Sequence, residues 1–321
     1  MRKLLFVCGF PSGGTDLTRT VLNAHPDIHL NGEMPFLKNI PKLGCHQDTS
    51  FTQLSEVKAF QHGLKKLDAY HAIKNIEHDF SEALKAQGRL SLEDVLYSCF
   101  SRNQSPIWGN KTPQNTENIG RLAQLFPQAY FLIVTRDVRD VCLSWQKKWG
   151  KDMLGCASKW AKRMDQGWQA TQRLPANHYL YLRFEDLLAD TESCCRQVCR
   201  WLEIPFAAEM LEHHKYVTEK TDGKINYGQE IKKENAYKWK DKISPNVITR
   251  IEEIAFDTLC LLGYRAEYAQ AKKALSVWEG WQSYRNDALA MLTVGNQASR
   301  RNTLNTRLKT LVFEFRKRQL R

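Results

Sequence analysis

Lys3-Leu4-Leu5-Phe6-Val7-Cys8-Gly9-Phe10-Pro11-Ser12-Gly13-Gly14-Thr15-Asp16 opens the chain with an apolar run, a turn of small residues and the start of a helical pattern. The run over residues 3 to 8 has the length of a buried parallel strand and is too short for a core helix; Gly9, Pro11 and the Gly13-Gly14 pair close it. Thr15 or Asp16 is placed to cap the helix that follows, where Leu17, Val21 and Leu22 keep helical spacing until His25-Pro26 ends it. Ala129 to Val134 repeats the strand pattern, followed by the polar turn Thr135-Arg136-Asp137 and a helix through Val141 to Trp149. Tyr179 to Leu182 is a third strand, and Glu185 to Leu202 a helix before Pro205. Strand-turn-helix units in series predict an α/β fold of three layers, a central parallel sheet flanked by helices, with ligands at the carboxyl ends of the strands.

The 321 residues are enough for one large α/β domain. Residues 38 to 105 carry helical stretches at Leu64 to Ile76 and Phe80 to Gln87, with little strand character, and read as a mostly helical insertion on the acceptor side. Val247, Ile251, Ile254, Leu259 and Leu262 mark a helix from Pro245 to Gly263. These features divide the chain into a domain over 1–264 and a basic helical C-terminal extension over 265–321. The extension holds 12 Lys or Arg against 4 Asp or Glu, so it accounts for most of the formal net charge of +12. Arg300-Arg301 and Arg316-Lys317-Arg318, beside an apolar stripe of Leu304, Leu308, Leu311 and Phe315, fit an anionic partner or a homodimer contact. The first apolar run is too short for a signal-peptide core and no run has the length of a membrane span. Nine cysteines with no Cys-x-x-Cys pair point away from a disulfide framework and a zinc site, so the expected compartment is the reducing cytoplasm.

The turn from Phe10 to Asp16 joins a strand to a helix, and small residues there let backbone N–H groups approach a phosphate at the positive helix end. The setting is P-loop-like, yet the Lys that follows the last Gly of a Walker A loop is missing. A second anion site is placed after the next strong strand: Arg136 can grip a phosphate with two donors, and Ser144, eight positions on, adds a third from the helix.

These segments, together with Ala24-His25-Pro26-Asp27-Ile28, Gly32-Glu33, Trp108-Gly109-Asn110-Lys111-Thr112-Pro113, Leu182-Arg183-Phe184-Glu185-Asp186-Leu187 and Tyr237-Lys238-Trp239, resemble the PAPS-dependent sulfotransferases, nearest in motif to the tyrosylprotein and bacterial branches. PAPS is 3′-phosphoadenosine-5′-phosphosulfate. The resemblance implies a P-loop-like fold and an enzyme that moves a sulfuryl group from PAPS to a hydroxyl or amine, releasing 3′,5′-diphosphoadenosine without a metal. It implies that Ser12, Gly13, Gly14, Thr15 and Asp16 hold the 5′-phosphosulfate, that Arg136 and Ser144 hold the 3′-phosphate, and that Lys238 touches the donor. Three positions depart from the family loop: Ser12 stands for a basic residue, Gly13 for Ser and Asp16 for the second Thr. Pro113 occupies the position of the His base of small-molecule members. Glu33 matches the Glu base of tyrosylprotein members to within one residue, and Lys111 is the cation for the leaving phosphate. His25 is the alternative base, Phe184 replaces a family Tyr near the nucleotide, and Arg139 is expected to pair with a carboxylate outside the site.

The acceptor stays open among glycan, lipid, peptide and small metabolite. Two other functions compete: a P-loop-type nucleotide kinase, and a noncatalytic relative that binds a nucleotide or polyanion.

Overall fold

The computed structural model describes residues 2–67, 78–101, 104–216 and 230–293. Five strands form one all-parallel sheet: β1 (Lys3–Gly9), β2 (Ile28–Asn31), β5 (Ile107–Lys111), β6 (Tyr130–Thr135) and β7 (Tyr179–Arg183), in the order β2-β5-β1-β6-β7. Burial follows position in the sheet. Every residue of β1 and β5 is buried, as is β6 after its first residue, whereas the edge strand β2 alternates buried and half-buried residues. Central parallel strands are covered on both faces, which is why β1 and β6 read as continuous apolar runs. Between β2 and β5, two short antiparallel strands pair as a ribbon, β3 (Ser50–Phe51) with β4 (Leu90–Ser91).

The helices are α1 (Thr15–Asn23), α2 (Leu54–Leu67), α3 (Ser81–Gln87), α4 (Leu92–Phe100), α5 (Ile119–Leu125) and α6 (Val138–Trp149), then α7 (Met153–Thr171), α8 (Phe184–Ala189), α9 (Thr191–Leu202), α10 (Trp239–Lys242), α11 (Pro245–Leu261) and α12 (Val277–Thr293). The first residues of the helix expected from Leu64 fall in α2, which is described as far as Leu67; the rest of that span, like the C-terminal extension after residue 293, lies outside the described residues. The single helix expected over Glu185 to Leu202 is two, because the Asp190 carboxylate caps α9 by accepting the Ser193 amide at 3.0 Å. No described helix is long and apolar enough to cross a membrane.

Two compact units emerge. The first comprises Met1–Thr135, Arg163–Thr218 and Tyr227–Lys233 and holds the whole five-stranded sheet; the second comprises Arg136–Lys162, Glu219–Asn226 and Glu234–Arg321. In the first, β1 and β5 approach so closely that a methyl group on Gly109 would lie 1.8 Å from the Leu5 carbonyl oxygen. Strand order reverses about β1: the chain steps to β2 on one side and to β6 on the other, so the carboxyl ends of β1 and β6 adjoin, with Gly9 opposite Val134. Such a reversal leaves a crevice at the strand ends.

Candidate active site

In the first unit the turn after β1 folds back on itself, the Gly13 amide donating to the Phe10 carbonyl at 2.8 Å. Ser12 and Gly14 both adopt left-handed backbone, at φ 67° and 93°. Gly14 is the residue that caps α1, and no side chain does so. Neither Thr15 nor Asp16 takes the capping role expected from the sequence: Thr15 is already the first helical residue, and the Asp16 carboxylate turns to Lys111. A methyl group on Gly14 would stand 2.1 Å from the Phe184 ring, so that phenyl group packs directly on the turn. A tight turn feeding an uncapped helix N-terminus is the arrangement by which backbone amides and the helix dipole receive an anion.

Lys111 ends β5 with its side chain 5% exposed, and its Nζ lies 2.6 Å from Asp16 Oδ1 and 2.9 Å from Glu33 Oε1. The three groups come from three elements: the end of a central strand, the first turn of α1, and the loop after β2. Both carboxylates are 40–45% exposed, so the buried ammonium is reached by partners that themselves meet solvent. An ammonium has three donors, and two carboxylates engage two of them, which leaves one for an incoming oxygen.

His25 is buried and committed elsewhere. Its Nδ1 accepts the Asp27 amide at 3.0 Å and its Nε2 donates to the Pro205 carbonyl at 2.8 Å, so neither nitrogen is offered to a substrate. Thr116, one helical turn after Pro113, accepts the Gly9 amide at 2.7 Å and fixes the end of β1 where the turn begins.

In the second unit Arg136 precedes α6, and its Nη2 donates to the Asn235 carbonyl at 2.9 Å with Asp140 Oδ2 at 3.9 Å. Lys238 Nζ donates to the side-chain oxygen of the same Asn235. One asparagine thus holds two of the expected donor-binding cations. Burial pushes the Lys238 pKa down, and the positive charges of Lys242, Arg136 and Lys147 push it further, against a smaller opposing effect from Asp140. Four cations placed in this way can receive a compact anion. Asp140 accepts the amides of Trp239, at 3.0 Å, and Tyr237, whose φ of 56° is left-handed. Ser144 is half-buried on α6, two turns beyond Arg136. Arg139 lies outside this cluster: its guanidinium is bidentate on Asp137, bonds Glu252, and stacks 3.8 Å over Trp239.

A family model described as the sulfotransferase family matches residues 5–208. The chain belongs to that family. A protein-tyrosine sulfotransferase of Drosophila melanogaster is 24% identical over 277 residues, covering 81% of this chain and 51% of the fly protein, so the chain spans about half of that relative's length. Protein-tyrosine sulfotransferase 1 of Mus musculus is 26% identical over 277 residues, which cover 81% of this chain and 69% of the mouse protein. The solved sulfotransferase domain from the curacin biosynthetic pathway superposes with a TM-score of 0.55 at 17% identity, covering 83% of this chain and 99% of that one, a likeness of fold.

Within this member of the family, Asp16, Glu33 and Lys111 meet in the first unit, and Arg136 and Lys238 share Asn235 in the second. Sequence reasoning missed Asn235, Lys147 and Lys242. Nothing in local pattern singles out an Asn in a polar stretch, although Lys147 lies one turn after Ser144 on the same helix. It also missed the direct Asp16–Lys111 pair, which needs β1 and β5 to be neighbours before the two side chains can be connected.

Proposed function

We propose that this chain transfers a sulfuryl group from PAPS to a hydroxyl or amine of an acceptor. The observation that carries the proposal is the contact of the Lys111 ammonium with Glu33 and Asp16 beside the turn of Ser12 to Gly14. Sulfuryl transfer needs an acceptor stripped of its proton and a positive charge at the oxygen that leaves. Glu33 takes the acceptor proton as the acceptor oxygen or nitrogen forms its bond to sulfur. The bond from sulfur to the bridging oxygen of the donor breaks, and its electron pair stays on the 5′-phosphate of 3′,5′-diphosphoadenosine. The third donor of Lys111 meets that oxygen, in the role a basic residue at position 12 would otherwise share. Amides of Gly13 to Asp16 receive the 5′ end; Arg136, Ser144 and Lys238 receive the 3′-phosphate. The relatives' names favour a protein hydroxyl, a tyrosyl group above all, among the acceptor classes.

The test is release of 3′,5′-diphosphoadenosine from PAPS in the presence of acceptor panels. Lys111→Ala and Glu33→Ala each abolish release while the purified variants still bind the diphosphate. Turnover retained in both removes these roles. Absence of release by the unaltered chain with every acceptor class favours a noncatalytic nucleotide-binding relative, and calorimetric binding of ATP in preference to the diphosphate favours a kinase.

A further inference from the structure

Helix α12 belongs to the second unit and has two unlike faces. On one, Glu279, Ser283, Asp287 and Ala290 follow helical spacing and are engaged or buried. Both oxygens of Glu279 receive the Arg250 guanidinium, at 2.7 and 2.8 Å, and that ion pair with its hydrogen bonds pulls the Glu279 carboxyl down to about 2. Asp287 accepts the Asp152 amide and the Lys159 ammonium, each at 2.9 Å. Ser283 sits so close to Gly155 that a methyl group there would be 1.9 Å from its hydroxyl. This face is the one that docks.

The opposite face points to solvent and is aromatic. Val277 is 93% exposed, Trp278 62% and Trp281 51%, with Leu289 exposed further along. The two indoles lie near-parallel with ring centroids 5.2 Å apart, and the Arg285 guanidinium stands 5.4 Å from the Trp281 ring. Both carboxylates of the helix, Glu279 and Asp287, are on the docked side and neutralised there, so the outward face carries arginine but no acid. Residues 294–321 then add eight Lys or Arg and a single Glu, with Leu304, Leu308, Leu311 and Phe315 among them.

From this juxtaposition we infer that the outward face of α12 is a docking surface for an anionic lipid membrane. Indoles fit the headgroup boundary, where an apolar ring and a polar N–H are both accommodated. An interfacial helix needs such an apolar face, and its affinity for anionic lipid rises with nearby cations. The charge sign selects the partner: the outward face carries Arg285 and no acid, and the sequence that follows the helix is basic, which suits a negatively charged bilayer and gives a neutral one only the two rings.

The experiment is flotation of the full chain with vesicles of phosphatidylcholine alone and of phosphatidylcholine with phosphatidylserine. Expected is co-flotation with the anionic vesicles only, accompanied by a blue shift of tryptophan emission and weakened by salt. The double variant Trp278→Ser with Trp281→Ser, both exposed, reduces the bound fraction at least tenfold while its thermal midpoint and PAPS turnover stay those of the parent. Equal binding to neutral vesicles, undiminished binding of the double variant, or no binding to either vesicle overturns the inference. Retention on heparin without flotation assigns the surface to a soluble polyanion instead. Self-association lost in the double variant assigns it to a second copy of the chain.

Discussion

Asp16 is the residue at which this chain departs most consequentially from the family loop, and its environment says what the departure does. Its carboxylate lies 2.6 Å from Lys111, the ammonium assigned to the leaving phosphate. A negative group beside a phosphate site opposes the ligand, and it also engages one of the donors the ligand would use. Asp16 is therefore expected to lower donor affinity while it holds Lys111 in place. Replacing it with the family residue, Asp16→Thr, is expected to tighten 3′,5′-diphosphoadenosine about tenfold, close to ~1.4 kcal/mol. Calorimetric titration of the variant beside the parent measures this, and weaker binding would show that Asp16 assists the anion. Glu33, 2.9 Å from Lys111 in the parent, is not altered by that substitution, so the comparison changes one carboxylate.

At the scale of elements, a buried ion network ties α6 to α11 in the second unit. Arg139 is 3% exposed and Glu252 fully buried; the guanidinium grips Asp137 and Glu252, and Glu252 also accepts the amides of Glu267, Tyr268 and Ala269 at 2.8 to 3.1 Å. Removing one partner of such a network leaves a desolvated charge, at a cost of about 3–5 kcal/mol. Glu252→Ala is expected to lower unfolding free energy by about that much in urea titration; a loss below ~1 kcal/mol would show that water enters to replace the carboxylate. Acidic residues beside apolar helical positions, as Glu252 is beside Ile251, are visible in sequence, but their partners are not. The strands show the same limit. β1, β6 and β7 were legible because burial on both faces or aromatic richness makes them apolar runs. β5 was not, since Gly109, Asn110 and Lys111 are poor strand formers; Asn110 is held inside by the Thr112 hydroxyl at 2.7 Å, and Gly109 is demanded by the Leu5 backbone. β2 is only four residues long. The segment Trp108 to Lys111 was recognisable as a motif and not as a strand, which is why Lys111 was found and its contact with Asp16 was not.

For the whole molecule the formal net charge of +12 is informative only through where it gathers. In the second unit burial depresses the Lys238 pKa, and the charges of Lys242, Arg136 and Lys147 depress it further. The sign of the linkage follows. A lysine whose folded value lies below its unfolded value opposes folding while it is charged, so the free protein gains stability as pH climbs from the depressed value toward 10.5. A phosphate bound beside Lys238 would reverse the electrostatics: it would restore the proton on Lys238, the complex would hold more protons than the free protein, and affinity for 3′,5′-diphosphoadenosine would fall across the same alkaline window. Stability and affinity are thus expected to move in opposite directions with pH. Calorimetry of diphosphate binding at rising pH is expected to give a downward slope, with proton uptake visible between buffers of different ionisation enthalpy. Lys238→Met flattens that slope and weakens the diphosphate, yet leaves 5′-adenosine monophosphate, which lacks the 3′-phosphate, nearly unchanged. If the variant weakens both nucleotides equally, Lys238 serves the nucleotide as a whole, and the 3′-phosphate must be recognised by Arg136 and Ser144 without it.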